Sequence, residues 1–184
     1  MSRIAFMVFS AVLTTAPFLA DAGTTMLLLT DDSLLATVAS TSDLGVDFRR
    51  AVGERLKERG FKVVDQKAAS DRLGRSSASR PAVEEILAVS ARANTSGLPE
   101  LRHDYVTLLT LEGEGGRRGF AVRTSLRSTA EIHRPDGSRL DGKEFAESYP
   151  FPASTAPKEA TIAAAGTIAV VVADWIAATV REKP

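Results

Sequence analysis

The chain has no cysteine, and only one tryptophan and two tyrosines among its 184 residues. Without cysteine there is no disulfide, no thiolate nucleophile and no thiolate metal site. Nor is there a thiol to carry a lipid at a processing site. Histidine is scarce as well. His103 and His133 stand thirty residues apart, so no HxxH or HxxxH metal spacing exists. Neither sign of charge is in excess, with 23 basic and 23 acidic residues. A neutral chain lacks the basic surface that sequence-independent nucleic-acid binding needs. No G-x-S-x-G elbow selects a serine nucleophile, and no internal repeat is visible. These absences point away from metal, thiol and nucleic-acid chemistry.

What is present begins with a leader. Arg3 supplies a small positive region, and Ile4 to Leu19 is almost wholly apolar. Ala20-Asp21-Ala22 follows as a small-x-small cleavage site. Residues 1–22 therefore read as a secretory signal peptide, cut before Gly23. The competing reading is an uncleaved membrane anchor, for which the apolar run is short. About 160 residues remain, enough for one domain, 23–184, with a real core. Export without disulfides implies a bacterial periplasmic or secreted protein.

The most legible stretch is Asp43 to Gln66. Leu44, Phe48, Val52 and Leu56 recur every four residues and stack on one helical face. Arg49, Arg50, Glu54, Arg55, Lys57 and Glu58 form the solvated remainder. Ser42 or Asp43 can cap the start, and Gly60 supplies the left-handed residue that ends it. Phe61, Val63 and Val64 then give a short strand. Before this unit, Met26 to Leu29 reads as a first strand buried on both faces, and Leu34 to Thr41 as a loop.

After it, Gln66 to Arg80 is polar, with two helical turns expected at Lys67 to Leu73 and an exposed loop at Gly74 to Ser79. Pro81 suits the first turn of a helix, and Glu84 and Glu85 complement its dipole. Val83, Ile86, Leu87 and Ser90 or Ala91 make its inner face, and it fades at Asn94 to Gly97. Tyr105 to Leu111 is a third strand, followed by a turn at Gly113-Glu114-Gly115-Gly116. Phe120, Val122, Thr124, Leu126, Ser128, Ala130 and Ile132 then alternate with polar residues, the pattern of a long half-buried strand. Pro135-Asp136-Gly137-Ser138 is a turn. Ser138 to Tyr149 returns as a strand with a bulge at Asp141-Gly142, and Pro150 to Pro157 is a linker.

Lys158 to Arg181 is the last and longest helix. Its stripe is Ile162, Ala165, Ala169, Val172, Ile176 and Val180, widened by Val170, Val171 and Trp175. A membrane span is the rival, but Asp174 inside it costs about 3 kcal/mol on insertion scales. A packed terminal helix is the main expectation; a tail anchor or a partner-binding helix are the others. The order is strand, helix, strand, helix, three strands, helix. This predicts an α/β fold: a mixed sheet of about five strands covered by three main helices. The first three strands are parallel through right-handed crossovers, and the last hairpin is antiparallel.

Candidate chemistry is thin. Each histidine has a carboxylate nearby in sequence, Asp104 or Glu131, but both read as surface residues. The glycines at 113–116 lie between two strands, not before a helix, so they do not form a phosphate loop. Asp136, Ser138, Asp141 and Glu144 lack calcium-loop spacing. Arg117, Arg118, Arg123 and Arg127 make a basic strip whose ordinary role is to guard a sheet edge; the alternative is a protein or anionic-glycan contact.

The pieces FRRAVGERLKERGFKVVD at Phe48 to Asp65 and DYVTLLTLEG at Asp104 to Gly113, with the signal peptide, the long alternating strand, the DG turn and the C-terminal helix, resemble the TolB amino-terminal-like fold. That fold is shared with curli-secretion CsgG proteins and LpoB-type activators of peptidoglycan synthases. The likeness covers most of the mature chain, but its motifs are hydrophobic patterning with a few turn residues. It implies a non-enzymatic envelope protein that binds other proteins, often within an assembly, with no common catalytic residues. Two departures are plain. There is no cysteine at the cleavage site for the lipid many relatives carry, and His103-Asp104 stand where a Gly-Ala pair is usual. The expectations are thus a periplasmic protein-binding domain with envelope protein partners, possible homo-oligomerisation, no cofactor, no metal and no catalytic residue. A small-ligand or anion-binding module and a hydrolase are the alternatives.

Overall fold

The computed structural model describes residues 24–30, 44–64, 83–118 and 121–183. The leader, the caps at Ser42 and Asp43, the loop at 34–41, the segment at 66–80, Pro81 and Phe120 lie outside the described residues.

Strand β1 (Thr25–Thr30) leads to helix α1 (Leu44–Glu58) and strand β2 (Lys62–Val64). Helix α2 (Val83–Thr95) and a 3-10 turn (Pro99–Leu101) precede strands β3 (Tyr105–Arg118), β4 (Ala121–His133) and β5 (Arg139–Pro152). Helix α3 (Pro157–Glu182) closes the order. The strands form one mixed sheet in the order β2-β1-β3-β4-β5. β1 pairs parallel with β2 and β3, while β3–β4 and β4–β5 are antiparallel. The α/β architecture read from the sequence is therefore the one observed.

Helix α1 forms because its four-residue repeat needs a partner surface. Leu44, Phe48, Val52 and Leu56 are all 2% exposed or less. They join Met26, Leu28 and Phe61 in the main core, with Val63 packed against it. Gly60, at φ 90°, ends the helix. Its N–H reaches the Lys57 carbonyl at 2.9 Å and that of Phe61 reaches the Leu56 carbonyl at 3.0 Å. This is a Schellman closure, and it turns Phe61 back onto the core beside Leu56. β1 is buried on both faces: Met26 and Leu28 meet α1 and α3, while Leu27 joins Val64, Ala93, Leu101, Val106 and Leu108 on the other side. That second, smaller cluster lies under α2, where Ser90 rather than Ala91 is the buried residue.

Three boundaries differ from expectation. The glycines at 113–116 are not a turn. β3 runs through them, with Gly113 opposite Leu126 and Arg118 opposite Ala121. A Cβ on Gly113 would lie 2.5 Å from Leu126 Cδ2, so glycine there makes room for a core leucine on the next strand. Likewise β5 continues through Pro150 and Pro152, which shortens the expected linker to residues 153–156. Proline is tolerated because β5 is an edge strand. The bulge falls at Leu140, since Ile132 pairs with Asp141 and His133 with Arg139.

The alternation of β4 holds. Val122, Thr124, Leu126, Ser128, Ala130 and Ile132 are buried beneath α3, and Arg123, Ser125 and Arg127 are exposed.

Candidate functional site

Both histidines are buried, at 5% exposure each, which corrects their reading as surface residues. His103 sits between the end of α2 and the start of β3. Its Nδ1 lies 2.9 Å from the Leu101 carbonyl, and its Nε2 lies 2.6 Å from Ser90 Oγ. A carbonyl only accepts, so Nδ1 carries the proton and Nε2 accepts from Ser90. Asn94 clasps the same residue, donating to its carbonyl and accepting from its N–H. Burial lowers the His103 pKa, against smaller opposing effects of the Leu101 carbonyl and Asp104. Ser90 is itself 1% exposed. The pair therefore braces a helix end and offers no accessible nucleophile. His133, at the far end of β4, contacts Glu131 and the Gly137 carbonyl, both at 3.3 Å.

The other sequence candidates also resolve into local bonds. Asp136 accepts the Ser138 N–H at 2.8 Å in the hairpin turn, and the bonds from Ser138 lower its pKa. Asp141 binds Lys183 at 2.8 Å, and Lys183 with the Gly142 N–H lowers its pKa. Glu144 pairs with Arg127 at 3.1 Å. Among the described residues no group of three or more His, Asp or Glu side chains is placed to hold a metal. The side chains of Arg117 and Arg118 lie outside the described residues, so only Arg123 and Arg127 of the basic strip can be placed.

A cavity of about 110 Å³ lies between α1 and the β1–β2 edge, lined in part by Val46, Arg49, Arg50 and Lys57. Arg50 is paired with Asp47 at 2.8 Å and Lys57 with Glu54 at 2.7 Å. Cations already matched by neighbouring acids make a weak anion trap, so this hollow is not a convergent polar site.

Helix α3 presents the most unusual surface. Ala165, Ile168, Ala169, Val172, Ile176 and Val180 pack on the core. Ile162, assigned to that inner stripe from spacing, is instead 43% exposed, alongside Val170 at 41% and Val171 at 46%. The helix is long and apolar enough to cross a membrane, with 56% of its most apolar window buried in the protein. Asp174, the charge that argues against a span, lies 2.8 Å from Arg59 and 3.2 Å from Arg55. Glu58 and Asp174 both raise the Arg55 pKa. Arg181 adds a bond to the Arg59 carbonyl at 3.0 Å. A latch of charge thus fastens α3 to the end of α1. On its other flank, Trp175 meets the edge strand through an edge-to-face contact with Phe145, centroids 5.7 Å apart.

No family model matches the chain, and no curated protein matches it. Several solved structures are similar in fold. Lipoprotein GNA1162 from Neisseria meningitidis is 16% identical over 84% of this chain and 98% of its own, with a TM-score of 0.46. The PelC dodecamer from Paraburkholderia phytofirmans is 11% identical over 82% of this chain and 85% of its own, with a TM-score of 0.45. The rare lipoprotein B from Shewanella oneidensis is 12% identical over 86% of this chain and 94% of its own, with a TM-score of 0.40.

Proposed function

We propose that this chain is a non-enzymatic periplasmic domain of the TolB amino-terminal, CsgG and LpoB kind. It acts through protein contacts in cell-envelope assembly or maintenance, and residues 1–22 direct its export and are then removed. The observation that carries the reading is the outer face of α3. No charged residue occurs from Ala160 to Ala173, yet Ile162, Val170 and Val171 stand in solvent. Large apolar side chains left exposed along one uncharged stretch of helix are the raw material of a contact surface. An apolar helix face is a common unit of protein recognition. The leader places that surface outside the cytoplasm.

The test is photocrosslinking in the bacterial envelope with a probe at Val170 and a second probe at Arg123, on the opposite face of the sheet. A defined envelope protein captured from position 170 and not from 123, on a chain whose first residue is Gly23, supports the reading. A chain retained in the cytosol with Met1 intact overturns it. So does capture of nothing from Val170 combined with heat release on adding a metabolite, which would favour a ligand-binding module.

A further inference from the structure

The outer edge of β5 is long, exposed and complementary to itself, and we infer that two copies of this chain pair through it, antiparallel, about a two-fold axis at Phe145. The inference does not rest on the role of α3's outer face.

The direction of the free backbone groups comes first. The Thr129 N–H of β4 bonds Thr110 Oγ1 on β3, at 3.1 Å, so residue 129 turns its backbone away from β5. Backbone direction alternates along a strand. Hence Glu144, which lies opposite Thr129, and its even-numbered neighbours turn their N–H and C=O groups outward. Two further facts agree. The Gly142 N–H is taken by the Asp141 carboxylate at 2.8 Å rather than by the ladder. Pro150 and Pro152 occupy even positions, where a missing N–H costs the β4–β5 ladder nothing.

Among the described residues, Glu144, Ala146 and Ser148 therefore present outward donors and acceptors, and Gly142, its N–H held by Asp141, an outward acceptor; the row is bounded by the bulge at Leu140 and by Pro150. With the axis at Phe145, Glu144 faces the partner's Ala146 and the Gly142 carbonyl faces the N–H of the partner's Ser148, so every free N–H in the row is used. On the face under α3, Lys143 meets the partner's Glu147, and symmetry repeats that ion pair. Lys143 already leans toward the axis, its ammonium 5.2 Å from the Phe145 ring centre. Moving the axis to Glu144 sets that carboxylate against its own copy. Moving it to Ala146 sets Pro150 against Gly142 and separates the ion pairs. Edge charges of one sign would block pairing; these alternate so that one register satisfies them.

The experiment is sedimentation of the purified full chain over a concentration series to about 100 µM, at low and high salt. The expected result is a monomer–dimer equilibrium that salt weakens. Lys143→Glu and Glu147→Lys each place like charges opposite one another and should raise the dissociation constant about tenfold or more. The double variant K143E/E147K restores both pairs and should recover dimerisation. Ala146→Pro, which removes an outward N–H and takes none from the β4–β5 ladder, should abolish it while the circular dichroism of the monomer stays that of the folded chain. A parent chain that stays monomeric throughout overturns the inference. So does dimerisation indifferent to Ala146→Pro, or charge reversals that the double swap fails to rescue. None of these changes touches Ile162, Val170 or Val171, so failure here leaves the α3 reading standing.

Discussion

Thr124 and Ser128 lie on the buried face of β4 with no exposed surface, and their hydroxyls have no hydrogen-bond partner among the described residues. A buried hydroxyl without a partner loses its bonds to water and regains nothing, at a cost of about 1–3 kcal/mol. Thr124→Val keeps the shape and replaces the hydroxyl with a methyl, so it should stabilise the fold by about 1.5 kcal/mol. Ser128→Ala should contribute about 1 kcal/mol, less because the lost oxygen leaves a small void. Four residues along a strand span about 13 Å, beyond the distance at which effects couple, so the double variant should gain about 2.5 kcal/mol. For a domain of this size that raises Tm by roughly 7 °C. Urea denaturation followed by the fluorescence of Trp175, the sole tryptophan, measures it directly. Thr107→Val is the control. That residue is equally buried, but its hydroxyl donates to Met26 Sδ at 3.2 Å, so its loss should not stabilise. If Thr124→Val and Ser128→Ala both destabilise by more than about 0.5 kcal/mol, the hydroxyls have a partner such as an internal water, and the reasoning is refuted.

Phe48→Ala empties the centre of the α1–sheet contact and should cost about 3–5 kcal/mol in the same urea assay; a loss below about 1 kcal/mol would mean that α1 does not depend on that packing. Gly113→Val drives a branched side chain into Leu126 and should destabilise by about 1–3 kcal/mol, whereas Gly113→Val combined with Leu126→Ala should recover part of the loss. His103, its pKa lowered by burial, makes stability depend on pH. Above the ordinary histidine value of about 6.5 the ring is neutral in both states. As pH falls through that value the unfolded chain binds a proton and the folded chain does not, so stability drops until the lowered folded pKa is passed. His103→Gln should flatten that slope, and an unchanged slope would assign it to other groups.

The four-residue repeat of α1, its glycine stop and the alternation of β4 were legible because each is local. A helix with one apolar stripe, or a strand with one apolar face, has a single way to bury it. The element order then left few topologies, because parallel neighbours need crossovers and a hairpin does not. Strand ends were not legible. Gly113 to Gly116 carry turn residues, yet they lie in β3 because β4 offers a continuous partner ladder and Leu126 needs the space. Pro150 and Pro152 read as a linker until β5 proved to be an edge, where a missing N–H is harmless.

Burial of His103 could not be read from its polar neighbourhood in sequence, because Ser90 and Asn94, which hold it, come from α2. The face of α3 had the same difficulty. Its apolar residues exceed what one helix face can bury, so spacing placed Ile162 inward with the others. Sequence alone thus determined which of the described segments become helices and strands, since those depend on neighbours within a few residues. Only the tertiary structure decided that Ile162, Val170 and Val171 face water, that Asp174 reaches Arg55 and Arg59, and that β5 ends the sheet. Each depends on which distant surfaces meet, and in each case a helix or sheet had more candidate contact surface than its neighbours could cover.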